Sequence, residues 1–216
     1  MRHKIVPNIF ALTKEEFTEK LEMLKFSKEL HLDYMDGQFT KNQSLPIEEM
    51  RPVTKYHGKN YNIHLMAYNP SRYFSKIKRL AIQRVYLHFE VYQSEQQIIR
   101  DILKLKVQDI KIGLVLNPST PPEAIVNFFK EIDSVMLMSV WPGEEGQEFI
   151  EETLSKIRRL RQLGFKGEIA VDGGIKPENA KEIVTHGANT LYVGSYISSH
   201  NNAKDQYETL KTILKS

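Results

Sequence analysis

Short apolar runs alternate with longer amphipathic runs along the whole chain. The short runs are rich in Val, Ile and Leu and have the length of buried strands, whereas the longer runs repeat their apolar residues at helical spacing. Strands that alternate with helices predict a parallel sheet covered by helices. Eight strands are predicted, over residues 4–10, 29–35, 61–66, 84–91, 109–116, 134–140, 168–171 and 190–193.

The helical stretches carry recognisable start and stop signals. Thr13, followed three residues later by Glu16, predicts a capping box at the start of the first helix. Gly164 and Gly187 stand where helices are expected to end. Helices are predicted over residues 13–25, 71–80, 94–105, 122–132, 147–163, 177–186 and 203–214, with a weaker helix over 45–56 that Pro52 interrupts.

Eight strand–helix units favour an α/β fold, a single closed (β/α)8 TIM barrel that occupies residues 1–216 as one domain. An open doubly wound sheet is the alternative. That fold usually has a glycine-rich turn after its first strand, and Pro7-Asn8-Ile9-Phe10 contains no glycine. No stretch has the composition of an inter-domain linker.

Composition excludes several classes of function. The formal net charge is only +3, which gives no electrostatic case for nucleic acid as a partner. The chain has no cysteine, so disulfides, thiolate metal sites and cysteine nucleophiles are excluded. No apolar run is long enough for a membrane span, and the N-terminal residues do not resemble a signal peptide. We expect a soluble cytoplasmic protein.

Polar residues with a period of two lie near the ends of three predicted strands. His31 and Asp33 share one face of the second strand, His64 lies on the third and Asp172 ends the seventh. Active sites of TIM barrels collect at the C-terminal strand ends. Buried imidazole and carboxylate groups together suit a divalent metal ion such as zinc, iron, cobalt or manganese. These four residues are therefore the candidate metal ligands.

Other residues near the strand ends have simpler or weaker interpretations. His88, taken alone, is interpreted as an ordinary hydrogen-bonded histidine, and Asp36 before a glycine as a turn former. Gly173-Gly174 and Gly194-Ser195 close the seventh and eighth strands. The loops after these two strands of a TIM barrel often bind phosphate through backbone N–H groups.

Six ordered motifs resemble those of the ribulose-phosphate 3-epimerase family. Residues 31–39, HLDYMDGQF, resemble the family's H-x-D-x-M-D-G-x-F, and residues 63–70, IHLMAYNP, resemble V-H-L-M-x-x-N-P. Residues 113–121, GLVLNPSTP, resemble G-x-x-L-N-P-x-T-P, and residues 138–147, MSVWPGEEGQ, resemble M-S-V-N-P-G-F-G-G-Q. VDGG at 171–174 and GS at 194–195 resemble the last two motifs.

The resemblance implies a TIM barrel of the ribulose-phosphate-binding type that interconverts D-ribulose 5-phosphate and D-xylulose 5-phosphate with one divalent metal ion. His31, Asp33, His64 and Asp172 would hold the metal, Asp33 and Asp172 would also be the catalytic acid and base, and a homo-oligomer is suggested. The implied substrate-binding residues are Asn8, Met35, His64, Met66, Met138, Gly143, Gly146, Gly173, Gly174, Gly194 and Ser195.

The reaction is consistent with these residues on chemical grounds. Inversion of a carbon next to a ketone needs one group that removes a proton and another that returns a proton to the opposite face. Asp33 and Asp172 belong to the second and seventh strands, and we expect them on opposite sides of the barrel. Methionines around them would exclude water with flexible, polarisable side chains.

The sequence departs from the family pattern at several positions. Asn8 replaces a serine, Asn62 an aspartate, and Trp141 an asparagine or glutamate. Residues 143–146 read GEEG instead of GFGG, and residues 40–42 read TKN instead of VPN. Carboxylates at 144 and 145 would repel a phosphate if they faced it. An epimerase for another ketose phosphate, such as allulose 6-phosphate, and a non-catalytic sugar-phosphate-binding barrel therefore stay open.

Overall fold

Eight parallel strands close into a barrel in the computed structural model, which describes residues 3–56, 58–144, 146–198 and 202–215. Each strand pairs with the next along the chain, and β8 pairs with β1. The predicted TIM barrel is therefore confirmed. The strands are β1 (Lys4–Ile9), β2 (Glu29–Met35), β3 (Asn60–Met66), β4 (Ile82–His88), β5 (Lys111–Leu116), β6 (Ser134–Met138), β7 (Glu168–Asp172) and β8 (Thr190–Val193).

Helices and short 3-10 segments cover the outside of the barrel. The α-helices are α1 (Lys14–Met23), α2 (Phe74–Ile77), α3 (Glu95–Lys106), α4 (Glu152–Gln162), α5 (Pro177–Thr185), α6 (Ser195–Ser198) and α7 (Ala203–Ile213). The 3-10 segments are Ile47–Lys55, Pro70–Tyr73, Lys78–Leu80, Phe89–Val91 and Pro122–Phe128.

Most predicted boundaries hold within a few residues, but two predicted helices differ in type. The stretch predicted over 71–80 is the four-residue α2 between two 3-10 segments, and the one predicted over 122–132 is the 3-10 segment Pro122–Phe128.

Three further elements differ from the prediction for a visible structural reason. Residues 47–55 form a 3-10 helix rather than an α-helix, with Pro52, which lacks an N–H, inside it. β4 ends at His88, because Phe89–Val91 turns out of the strand. α4 begins at Glu152 rather than at residue 147, since the N–H of Ile150 donates to the carbonyl of Ser139 on the barrel.

The hydrophobic core has two parts. The larger part lies between the strands and the helices, where Phe17, Leu21, Ile102 and Leu160 are among the fully buried side chains. The smaller part fills the barrel itself and includes Val6, Tyr86, Val115, Met136, Ala170 and Tyr192. The strand pleat separates the two parts, because successive side chains point to opposite faces.

Gly113 on β5 makes room for Tyr86 inside the barrel. A Cβ atom at Gly113 would lie 2.3 Å from two carbons of the Tyr86 ring and 2.7 Å from Ser134 Oγ. The hydroxyl of Tyr86 lies 2.8 Å from that of Tyr192, so two large rings share the barrel interior. The glycine is therefore required by packing rather than by a turn.

A buried ion pair occupies the N-terminal half of the barrel interior. Arg84 of β4 donates to Glu168 of β7 at 2.6 and 3.4 Å and to the hydroxyl of Tyr86 at 3.1 Å. Thr190 also donates to Glu168. Removing a charge from water is costly unless an opposite charge and hydrogen bonds compensate it, and Arg84 and Glu168 compensate each other here. A different group of polar residues lines the C-terminal half of the barrel interior.

None of the helices within the described ranges has both the length and the apolar character needed to cross a membrane.

Candidate active site

Four buried ligand-type residues meet at the C-terminal end of the barrel. His31 and Asp33 come from β2, His64 from β3 and Asp172 from the end of β7. Pairing of β2 with β3 sets Asp33 directly beside His64. Each residue offers one ligand atom, and the four atoms lie within 4.8 Å of one another. The structure therefore brings together the whole predicted ligand set.

The shortest contacts within the cluster join imidazole nitrogens to carboxylate oxygens. His64 Nδ1 lies 3.4 Å from Asp33 Oδ1 and 3.6 Å from Asp172 Oδ2. His31 Nε2 lies 3.5 Å from Asp33 Oδ1. Both imidazoles are fully buried. The two carboxylates come from strands on opposite sides of the ring, as expected, and both reach to within 3.6 Å of the same nitrogen of His64.

The donor set fits a divalent metal ion. Neither nitrogen of His31 makes a hydrogen bond with any described residue, and His64 Nδ1 makes none either. Buried polar atoms are normally satisfied, so unsatisfied imidazole nitrogens beside carboxylates indicate a missing partner. Two imidazoles and two carboxylates are ligands that zinc, iron, cobalt and manganese accept.

Burial and neighbouring charges set the protonation of the cluster. Burial lowers the pKa of His31 to about 3, so this ring is neutral at physiological pH. Burial also acts to lower the pKa of His64, but Asp172 and Asp33 outweigh it and raise the pKa. Burial acts to raise the pKa of Asp172, but His64, His31 and Asn8 together hold it below its usual value. Asp172 is therefore ionised and ready to ligate a cation.

Asn8 at the end of β1 joins the two carboxylates. Its Nδ2 atom donates to Asp33 Oδ2 at 3.2 Å and to Asp172 Oδ1 at 3.0 Å. Its Oδ1 atom is buried and makes no hydrogen bond within the described part of the chain. A contact from Asn8 to a sugar, as the sequence predicts, would therefore use this oxygen.

A cleft opens above the cluster, and Asp33 and Asp172 lie on its surface. The three predicted methionines, Met35, Met66 and Met138, line it as well. All three are buried, so they surround the carboxylates with apolar surface. The other predicted residues on the cleft are Asn8, Gly143, Gly146, Gly173, Gly174, Gly194 and Ser195.

The glycines of the cleft have backbone conformations that explain their identity. Gly173 and Gly174 have φ angles of 113° and 61°. A Cβ atom on Gly174 would lie 2.6 Å from the backbone nitrogen of Phe149. Side chains are excluded here by both conformation and space, so the backbone itself faces the cleft.

Comparison with known proteins agrees with this geometry. Residues 4–198 match the model of the ribulose-phosphate 3 epimerase family. The chain is 36% identical over 183 residues to ribulose-phosphate 3-epimerase from Bacillus subtilis (strain 168), covering 81% of this chain and 82% of the relative. It is 34% identical over 221 residues to the chloroplastic ribulose-5-phosphate-3-epimerase of Arabidopsis thaliana, covering 98% of this chain and 76% of the relative.

The chain belongs to the ribulose-phosphate 3-epimerase family. The fold extends to more distant proteins, among them 3-hexulose-6-phosphate synthase from Salmonella typhimurium. That structure has a TM-score of 0.75 at 15% identity and covers 98% of each chain. At this identity the likeness shows the fold alone.

The departures from the ribulose-phosphate 3-epimerase pattern take clear positions. Glu144 is exposed, and its backbone carbonyl accepts a hydrogen bond from Gln147. Trp141 lines the cleft with 53% of its surface exposed. Asn42 donates to the carbonyl of Gly143 at 2.6 Å, which ties the two variant loops together. Lys41 is exposed, and Glu145 lies outside the described residues.

Asn62, the variant residue on β3, faces the barrel interior below the cluster. Its side chain donates to Glu29 at 2.9 Å and to the hydroxyl of Tyr192 at 3.2 Å. The Tyr192 ring in turn stacks on His31, with 3.8 Å between ring centroids. The amide therefore supports an aromatic ring that packs against His31, one of the candidate metal ligands.

Two other interpretations concerned single residues near the cluster. Asp36 does form a turn, since its Oδ1 accepts hydrogen bonds from the N–H groups of Gln38 and Phe39. His88 is a hydrogen-bonded buried residue, as expected, and one of its two partners, beside Glu90, is His64 of the cluster. Sequence reasoning missed this contact. A signal was present, because Arg84, Tyr86 and His88 repeat with a period of two on β4 and share the inward face.

Proposed function

We propose that the protein is a metal-dependent epimerase that inverts C3 of D-ribulose 5-phosphate to give D-xylulose 5-phosphate. One observation carries the proposal: Asp33 and Asp172 line the floor of a cleft and form one buried cluster with His31 and His64 beneath it. The choice of ribulose 5-phosphate as substrate follows the names of the relatives, which are ribulose-phosphate 3-epimerases. A barrel of this kind that has lost its activity usually lacks an acid, a base or a metal ligand. All four candidate residues are present in this chain.

The reaction needs two carboxyl groups with complementary roles. One carboxylate, Asp33 or Asp172, removes the proton on C3, and the electron pair of that C–H bond moves toward the neighbouring ketone to give an enediolate. The other carboxyl group donates a proton to C3 from the opposite face, and the ketone forms again. The first group ends protonated and the second ends ionised, so the reverse reaction uses them with exchanged roles.

The residues of the cluster would also hold the metal ion. When bound by His31, Asp33, His64 and Asp172, a divalent cation would polarise the ketone oxygen and offset the repulsion between the two carboxylates. Asn8 offsets the same repulsion from the protein side, because its amide donates to both groups. Zinc, iron, cobalt and manganese all accept this set of imidazole and carboxylate ligands.

The cleft wall suits a sugar phosphate. Met35, Met66 and Met138 would exclude water from the reacting carbons, which protects the enediolate from stray protonation. Gly173-Gly174 and Gly194-Ser195 lie on the same cleft and would bind the phosphate through backbone N–H groups. Bound in this way, the phosphate would lie at the β7 and β8 ends, as in many TIM barrels.

Substitution of each carboxylate tests the proposal. Asp33→Asn and Asp172→Asn should each lower the kcat for ribulose 5-phosphate by about 10²–10⁴-fold, the usual contribution of an acid–base group. Each variant should still exchange the C3 proton of one of the two epimers with solvent deuterium, because one base remains. Asp205→Asn on the exposed side of α7 is the matched control and should leave kcat unchanged. Full activity in either active-site variant would contradict the assignment.

A second candidate is an epimerase for another ketose phosphate, such as allulose 6-phosphate. Asn8 at the catalytic carboxylates and exposed Glu144 on the cleft favour it, since both differ from the family pattern. A panel of pentulose and hexulose phosphates, compared by kcat/KM, separates the two. Binding of these compounds without deuterium exchange at C3 would instead indicate a non-catalytic barrel.

A further inference from the structure

His64 is the inner end of a chain of three hydrogen-bonded groups, two buried imidazoles and a partly buried carboxylate, that leads away from the cleft. Its Nδ1 atom faces Asp33 and Asp172, whereas its Nε2 atom lies 2.8 Å from His88 Nε2. His88 Nδ1 lies 3.2 Å from Glu90 Oε2. The side chains of His64 and His88 are fully buried, and that of Glu90 is 21% exposed. None of these contacts is needed for the acid–base step itself.

The outer end of the chain is fixed by the turn after β5. Glu90 Oε1 accepts hydrogen bonds from the Asn117 N–H, at 2.7 Å, and from the Thr120 hydroxyl. Lys156 of α4 donates to the carbonyls of Asn117 and Pro118 at 2.7 and 3.3 Å. Both oxygens of Glu90 are therefore occupied by donors, and the carboxylate has one well-defined position.

When a metal is bound, each hydrogen bond from His64 through His88 to Glu90 can have only one donor. A nitrogen that ligates a metal carries no proton, so ligation through His64 Nδ1 leaves the proton on Nε2. That N–H must donate to His88 Nε2, which is then the unprotonated nitrogen of His88. The proton of His88 is consequently on Nδ1, where it donates to Glu90.

We propose that His88 and Glu90 are positioning residues that fix the tautomer and orientation of His64 for metal binding. The arrangement extends the pairing of a carboxylate with a metal-bound histidine by one more imidazole. The inference rests on the proposed function, because it takes the cluster to be a metal site. His31 is oriented differently, by stacking on Tyr192.

Glu90→Gln tests the direction of the chain with minimal change of shape. A glutamine has one side-chain oxygen in place of two. That oxygen is expected to keep accepting from the Asn117 N–H and the Thr120 hydroxyl, because they are two donors. The NH2 group then faces His88 Nδ1 and forces the His88 proton onto Nε2, where it opposes the proton on His64 Nε2. We expect a loss of Zn²⁺ affinity of about 10–100-fold, the usual effect of removing such a partner.

Zn²⁺ affinity is measured by competition with a chromophoric chelator, and folding is checked by circular dichroism and thermal unfolding. Glu131→Gln is the matched control, because Glu131 forms an exposed ion pair with Lys106. His88→Gln, whose side-chain oxygen can accept from His64, should retain more affinity than His88→Phe. Wild-type Zn²⁺ affinity in folded Glu90→Gln, or equal affinity in the two His88 variants, would overturn the proposal.

Nitrogen-15 NMR of the imidazoles in the Zn²⁺-loaded wild-type protein tests the proposal without any variant. We expect the proton of His64 on Nε2 and that of His88 on Nδ1. A proton on His88 Nε2 would contradict the proposed direction of donation from His64 to His88 and from His88 to Glu90. Affinity and tautomer are measured without substrate, so a protein that shows both but does not turn over ribulose 5-phosphate would refute the proposed function and leave this inference standing.

Discussion

Asp33 and Asp172 are joined through one side-chain amide, since Asn8 Nδ2 lies 3.2 Å from Asp33 Oδ2 and 3.0 Å from Asp172 Oδ1. Two carboxylates with oxygens within 4.8 Å of each other repel, and a donor shared by both offsets part of that repulsion. Asn8 does so from the end of β1. The amide thus organises the pair of groups on which the proposed chemistry depends.

Substitution of Asn8 should therefore affect catalysis. Hydrogen bonds to charged groups contribute about 1.5–3 kcal/mol, so we expect Asn8→Ala to lower kcat for ribulose 5-phosphate by about 10–100-fold. Asn8→Ser keeps one donor and should fall between the wild type and the alanine variant. Asn127→Ala, which removes an exposed amide bonded to Glu95, is the control in the same steady-state assay. A kcat of Asn8→Ala within twofold of the wild type would contradict a role of the Asn8 amide in catalysis.

Packing inside the barrel makes a prediction about stability. Gly113→Ala would put a methyl group 2.3 Å from carbons of the Tyr86 ring. Overpacking of this kind costs about 1–3 kcal/mol, and we expect that decrease in the free energy of unfolding measured with urea. The double variant Gly113→Ala/Tyr86→Leu should lose less stability than the sum of the two single variants. Additive losses would show that the two sites do not share this space.

Lys156 predicts a pH dependence of stability in the alkaline range. Burial lowers its pKa to about 8, whereas the unfolded chain has the ordinary value of 10.5. Between these values the unfolded state binds a proton that the folded state has released, so the free energy of unfolding rises with pH. Relative to Lys156→Met, the wild type should gain stability from pH 8 to pH 10 in urea titrations. A constant difference between the two proteins across this range would speak against the lowered pKa.

The barrel and the meeting of the four candidate ligands could be predicted from the sequence because both have a short-range signature. The bounds of β2 and β8 are as predicted, since apolar runs of strand length are bounded by turns. His31, Asp33 and His64 follow the period of two on neighbouring strands, and Asp172 ends a strand. Parallel pairing then brings such positions to one end of a barrel.

Contacts between side chains of distant strands could not be predicted in the same way. The Asn8 amide reaches Asp172 across 164 positions of sequence, and no local pattern encodes that contact. The link from His64 to His88 depends on both side chains pointing into the barrel and on the exact pairing of β3 with β4. The 3-10 form of residues 122–128 has no evident signal in the sequence.

Epimerisation at this site is tested most directly by proton NMR of D-ribulose 5-phosphate incubated in D2O with the protein loaded with Zn²⁺, Fe²⁺, Co²⁺ or Mn²⁺. We expect that D-xylulose 5-phosphate accumulates with a single deuterium at C3, and that the activity is lost with a chelator and restored by the metal. Unchanged ribulose 5-phosphate that retains its C3 proton with all four metals would contradict the account.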